Sequence, residues 1–135
     1  MPATEESRDL AIVAARAAAN KKATNIVALD VSERLPLTDA FVLATGANER
    51  QVQAIVQEIQ LQLRNAGVKQ KREEGYAEAR WVLLDFGDIV VHVQHADERE
   101  FYALERLWHD CPIIALPEDI TQLSRENALE DSSDY

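Results

Sequence analysis

The sequence predicts an α/β fold, and three observations carry that prediction. Short apolar runs at residues 26–29 and 40–44 read as buried strands. Residues 48–66 repeat their apolar side chains at helical spacing over several turns. Residues 81–94, WVLLDFGDIVVHVQ, set two apolar runs either side of Gly87-Asp88, a Gly-first dipeptide suited to a two-residue β-hairpin.

Each element has its own warrant. From about Ser7 to Asn20 the chain is alanine-rich, with Leu10, Val13, Ala14 and Ala17 falling on one helical face. A loop containing Pro36 separates the two buried strands, and Gly46 breaks the chain after the second. Asn48 and Gln51 fit a capping box for the long helix. Its stripe is Val52, Ile55, Val56, Ile59 and Leu63, and Gly67 stands where a left-handed C-cap is expected. Residues 68–73, VKQKRE, form a basic cluster and read as a polar edge strand. After the hairpin, Asp97 and Glu100 are candidate caps for a third helix, with Phe101, Leu104 and Trp108 on its inner side and Pro112 ending it. Ile113, Ile114 and Leu116 are expected to dock on the body. Residues 1–117 therefore read as a single α/β domain. Residues 118–135 carry net charge −5, half that of the whole chain. Beyond about Ile120 this acidic tail is expected to be disordered and to add little stability.

The hairpin organises the rest. A turn at Gly87-Asp88 pairs Phe86 with Ile89, Leu84 with Val91, Leu83 with His92 and Trp81 with Gln94. Side chains alternate across a sheet, so two faces result. Val82, Leu84, Phe86, Ile89, Val91 and Val93 make a wholly apolar face, which is a core. The other face mixes Trp81, Leu83 and Val90 with Asp85, His92 and Gln94. An aromatic anchor among aliphatic neighbours and a few polar groups has the chemistry of a protein interface. The same pattern also fits a face covered by a helix, with Trp81 an ordinary buried aromatic.

Composition narrows the function. The chain has 135 residues, 47% of them hydrophobic, and a formal net charge of −10. That charge argues against direct, charge-driven binding to nucleic acid and favours a basic protein partner. Cys111 is the single cysteine, which rules out an internal disulfide and fits a reducing, cytoplasmic setting. No run reaches the roughly 18 apolar residues of a membrane span, and the acidic N-terminus (Glu5, Glu6) is unlike a signal peptide. Catalytic constellations do not assemble. Asp85-Phe86-Gly87 matches the kinase metal-binding tripeptide, but the other kinase motifs are missing. Asp85 and Asp88 have no third metal ligand, His92 and His95 point to opposite strand faces, and nothing completes a zinc site around His109 and Cys111. Gly46 before a helix start suggests an anion site, yet Glu49 occupies the first turn and repels phosphate. The residues thus point to a binding protein with no metal and no cofactor.

Several segments together resemble the ribosomal silencing factor family, also known as Iojap-like or RsfS-like proteins. They are the hairpin, Glu74-Gly75 before it, residues 98–108 (EREFYALERLW) after it, and upstream Asp39-Ala40-Phe41-Val42, Thr45-Gly46 and Arg50-Gln51-Val52. The resemblance covers roughly residues 7–110; Asn48 stands where the family more often has serine, an equally good cap. It implies a mixed, roughly five-stranded sheet flanked by helices, related to nucleotidyltransferases without their catalytic residues. It further implies binding to ribosomal protein number fourteen of the large ribosomal subunit, which blocks joining of the small subunit and represses translation when nutrients are short. Self-association as a homodimer is implied too, with rRNA contact no more than minor. The family's contact residues match Trp81 and Phe86, and the hairpin adds Leu83, Asp85, Asp88 and Val90 as candidates. Phe86 is a point of tension, since alternation puts it on the core face. The alternatives are a metal-dependent nucleotidyltransferase-like enzyme using Asp85 and Asp88, and a dimeric scaffold joined through the Trp81 face.

Overall fold

The structure is a computed structural model that describes residues 2–101 and 104–133, with side chains described for all of these except 100, 101, 104, 105 and 131–133. The elements run α1 (Glu5–Asn20), β1 (Thr24–Asp30), β2 (Ala40–Gly46), α2 (Glu49–Asn65) and β3 (Arg72–Glu74). They continue with β4 (Trp81–Asp85), β5 (Ile89–His95), α3 (Ala96–Phe101), α4 (Leu104–Leu107) and α5 (Glu118–Ser133). The strands form one five-stranded sheet in the order β1-β2-β5-β4-β3. The central pair β2–β5 is parallel and the remaining pairs are antiparallel, so the sheet is mixed as expected.

Thr4 opens α1, its hydroxyl accepting the Ser7 N–H at 3.1 Å. The helix starts two residues earlier than its apolar spacing suggests, because the cap lies upstream of the first apolar residue. It buries an alanine face (Ala11, Ala14, Ala15, Ala18), while Leu10 and Val13 are only partly covered. Small side chains let the helix approach both α2 and the sheet closely. Asp30 ties the N-terminus down, its carboxylate accepting the Ala3 N–H at 2.9 Å. Burial pushes that carboxyl up, but the donors from Ala3 and Ser32 outweigh it and hold Asp30 below its ordinary value.

The long helix follows its sequence signals. Asn48 accepts the Gln51 N–H at 2.9 Å, and the Gln51 side chain reaches back to the Ala47 N–H at 2.6 Å. Val52, Ile55, Val56, Ile59 and Leu63 are all buried, each contributing about 1.5–3 kcal/mol by leaving water. At the far end the Gly67 N–H bonds to the Arg64 carbonyl and the Val68 N–H to the Leu63 carbonyl, both at 3.0 Å. This is a Schellman turn, and it requires the positive φ of +85° that Gly67 adopts.

One sheet face packs against α1, α2 and α5. Ala40, Val42 and Ala44 of β2, Val82 and Leu84 of β4, and Ile89, Val91 and Val93 of β5 point into this core. In the region of the predicted third helix the described residues are helical as α3 and α4, and helical structure stops at Leu107, ahead of Pro112. His95, and not Asp97, supplies the first acceptor, its Nδ1 taking the Asp97 N–H at 3.1 Å. The side chains of Glu100, Phe101 and Leu104 lie outside the described residues. Arg99 anchors α3 through Thr45 Oγ1 at 2.8 Å and the Asn25 carbonyl at 2.7 Å.

The C-terminal stretch is the largest difference. Sequence composition predicts disorder after about Ile120, whereas the structure places α5 there. Ile120 is buried, and Ile114 joins the same core. Asn127 is buried too, its amide donating to the Ala19 and Ala23 carbonyls at 3.1 and 3.0 Å, just where α1 runs out. Arg16 grips Asp119 through two bonds, and Lys22 meets Glu130 at 2.8 Å. Part of the tail's negative charge is therefore neutralised by basic residues of α1 and the turn after it, which a count of charges along the tail does not reveal. Ile113 pairs with Leu29 at the sheet edge but is 74% exposed, so it does not dock as expected.

Candidate protein-partner interface

Turn chemistry fixes the site. The Phe86 N–H bonds to the Ile89 carbonyl at 3.0 Å, closing a two-residue hairpin. Gly87 alone of the two turn residues has positive φ, +90°, the pattern of a II′ turn. The register is Trp81↔Gln94, Val82↔Val93, Leu83↔His92, Leu84↔Val91 and Asp85↔Val90, as the sequence predicts. Alternation then sends Trp81, Leu83 and Asp85 to the sheet face away from α1, α2 and α5.

On that outer face a row of rings crosses the strands. Trp81 Nε1 donates to His92 Nδ1 at 3.2 Å. His92 stands edge-on to Phe41 with centroids 4.9 Å apart, and Phe41 meets Trp108 at 5.0 Å. Arg34 closes the row, its guanidinium 4.5 Å above the Trp108 ring and its Nη1 2.9 Å from Asp110. Leu29, Val31, Leu43, Val90 and Cys111 fill the space around these rings. Trp108 and Cys111 therefore cover the β1–β2 half of the face. Over β4, Trp81, Leu83 and Asp85 remain half-buried.

The candidate residues separate into three groups. Trp81 and Leu83 lie side by side on the outer face, with Val90 next to them, 8% exposed. Asp85 and Asp88 belong to the turn. The Asp85 carboxylate accepts the Gly87 N–H at 2.8 Å, and the exposed Asp88 gives its carbonyl to the Asp39 and Ala40 N–H groups. Phe86 is on the opposite side, 6% exposed and part of the helix-covered core. Among the described residues, no group of three His, Cys, Asp or Glu side chains could hold a metal ion. His95 lies near Glu49 at the sheet's end, Nε2 to Oε1 3.8 Å. Arg80 is held there by Glu49 and Glu98 at 3.1 and 3.2 Å, so the protein's own side chains fill the space at the start of α2.

His92 is the neighbour of Trp81 that sequence reasoning left among the polar residues of the face. Burial first, and the Arg99 charge second, lower its pKa to about 4. The neutral ring is also what the geometry demands. Nδ1 accepts from Trp81, so a proton there would face another donor. Nε2 is buried without a partner among the described residues, as is the Gln94 carboxamide beside it. The signal for the row was thin: Phe41 and Trp108 are far apart in sequence, and no local pattern links them.

Known proteins are similar to this chain in sequence and fold. The family model described as "Ribosomal silencing factor during starvation" matches residues 4–135, and so runs through α5. A ribosomal silencing factor of Bacillus subtilis is 47% identical over 104 residues, covering 77% of this chain and 88% of that protein. One from Halalkalibacterium halodurans is 44% identical over 110 residues, 82% of this chain and 94% of that protein. Among solved structures, a crystal structure of a Chromobacterium violaceum protein superposes with a TM-score of 0.71 at 38% identity. It covers 81% of this chain and 88% of the other.

Proposed function

The chain belongs to the ribosomal silencing factor family, and on that premise we propose that it represses translation by occupying the large ribosomal subunit. In this reading it binds ribosomal protein number fourteen and fills space that the small subunit needs, when nutrients are short and in the cytoplasm. No bond is made or broken, and no cofactor takes part. The observation that carries the reading is the half-buried Trp81–Leu83 pair on a sheet face that Trp108 and Cys111 cover only in part. Such a pair can anchor a partner, with Val90 beside it and Asp85 and Asp88 at the rim. A net charge of −10 steers the protein towards a basic partner and speeds encounter, while the apolar contact slows release. Phe86 supports the surface from behind by holding the hairpin tip on the core.

Truncating a buried aromatic anchor at an interface costs about 2–4 kcal/mol of binding, which is roughly 30- to 1000-fold. Trp81→Ala is expected to lose that much affinity for purified large subunits in co-sedimentation while the isolated protein stays folded by circular dichroism. Unchanged sedimentation with a folded variant would remove Trp81 from the interface. Altered self-association with unchanged subunit binding would instead assign this face to a second copy.

A further inference from the structure

The surface behind the hairpin holds a second feature. A cleft of about 530 Å³ opens between the end of α2, the turn after it and the hairpin tip. Phe86 and the half-buried Val68 supply the apolar part of its lining. Gln60 and Gln70 line it, and Arg64 and Lys69 stand exposed at its mouth. Lys71 extends the basic rim over the turn; its Cε and Nζ are 3.0 Å from where a Cβ on Gly87 would sit. Arg72 follows on the exposed edge strand β3.

Charge makes this unusual. Carboxylates outnumber cations in this chain by ten. Arg16, Lys22, Arg34 and Arg80 each have a carboxylate within 3.2 Å. Arg64, Lys69, Lys71 and Arg72 have no ion pair among the described residues. Lys21, Arg50, Arg106 and Arg125 have none among them either but are scattered along the chain, whereas the first four lie within nine residues of one another, with Glu73 the carboxylate beside them. In a molecule so rich in acid, four unneutralised cations beside one cleft mark a locally positive surface that the net charge hides. The amides refine the choice of ligand. Gln60 Nε2 donates to Gln70 Oε1 at 2.9 Å and to Glu73 Oε1 at 2.8 Å. Gln60 Oε1 and Gln70 Nε2 keep no partner among the described residues, so an acceptor and a donor remain for a ligand.

We propose that this cleft binds single-stranded RNA, the cations meeting phosphates, the apolar lining receiving a base and the two amides reading its edge. The volume lies within the range of small-ligand sites, and splayed bases are recognised through just these edge contacts. An acidic peptide would use the cations but leave the amides and the apolar lining without a role. The site is separate from the Trp81 face, and its test needs no ribosome.

The experiment is a titration of the full-length, isotope-labelled protein with a ten-nucleotide oligouridylate, read by amide chemical shifts. Shifts are expected at residues 67–72 and at Phe86 and Gly87. Lys69→Gln with Lys71→Gln should weaken binding about tenfold. The pair should also flatten the slope of log K against log salt by about 1.4, because each phosphate no longer neutralised removes ~0.7 from it. Both positions are exposed, so the variant keeps its core. No shifts in this patch, or shifts centred elsewhere, would overturn the proposal. So would a deca-glutamate peptide that perturbs the same amides as strongly, which would show an acidic-peptide surface. Loss of large-subunit binding in Trp81→Ala leaves this result untouched, so the two readings fail separately.

Discussion

Phe86 and His92 occupy opposite faces of the hairpin, and that decides what each substitution does. Phe86 is almost wholly buried on the helix side, so Phe86→Ala should cost about 3–5 kcal/mol of folding stability in chemical denaturation. Binding by the fraction still folded should stay close to normal. A small stability loss with a large loss of binding would mean that Phe86 reaches the partner directly. His92 makes stability depend on pH. Its pKa is about 4 in the folded protein against 6.5 ordinarily. The neutral ring therefore stabilises fully above about pH 6.5, and the contribution fades as pH falls towards 4. The whole effect is about 3 kcal/mol. Denaturant melts between pH 7 and pH 4 should show that slope, and His92→Phe should flatten it. Protonation also removes the acceptor for Trp81 Nε1, so the anchor should loosen over the same range.

At the scale of elements, Asn127 is the joint between α5 and α1. Asn127→Ala leaves the Ala19 and Ala23 carbonyls without that donor. It should cost about 1–3 kcal/mol and lower Tm by several degrees, whereas Leu129→Ala, at an exposed position, should stay within about 0.5 kcal/mol. Equal effects of the two would mean that α5 is not held by its polar joint. The contrast also explains which elements were legible in the sequence. α2 announced itself through a cap, a stripe and a terminal glycine, all local. The β4–β5 register followed from a two-residue turn, after which every pair is forced. α5 has no such stripe: besides Ile120 and the partly buried Leu123, its anchors are one amide and two ion pairs to residues about a hundred positions upstream. The make-up of the outer sheet face was legible as far as Trp81 and Leu83. Its other half was not, because Trp108 reaches Phe41 only through tertiary folding.

The whole molecule is an asymmetric slab. One face of the sheet is sealed by three helices, and the other is sealed over β1 and β2 but half open over β4. Faces and charge are arranged independently: the open side carries apolar residues, while the basic cleft lies by the hairpin tip on the helix side. One chain can in this way present different chemistry in two directions.

The parallel pairing at the centre of the sheet also governs how the chain reaches this form. Ala40 faces Ile89 and Gly46 faces His95, partners 49 residues apart. During synthesis β2 has only β1 beside it until the last strand has emerged, and its free edge is apolar. Distant pairing of this kind slows folding and leaves strand edges open to other chains meanwhile. Val42→Ala and Val91→Ala, on facing strands of that pair, should each slow refolding roughly five- to tenfold in stopped-flow experiments if the pair forms at the barrier. Leu123→Ala in α5 should mainly hasten unfolding. A protein of this design is at its most vulnerable as a nascent chain, in the interval before residues 89–95 leave the ribosome that made it.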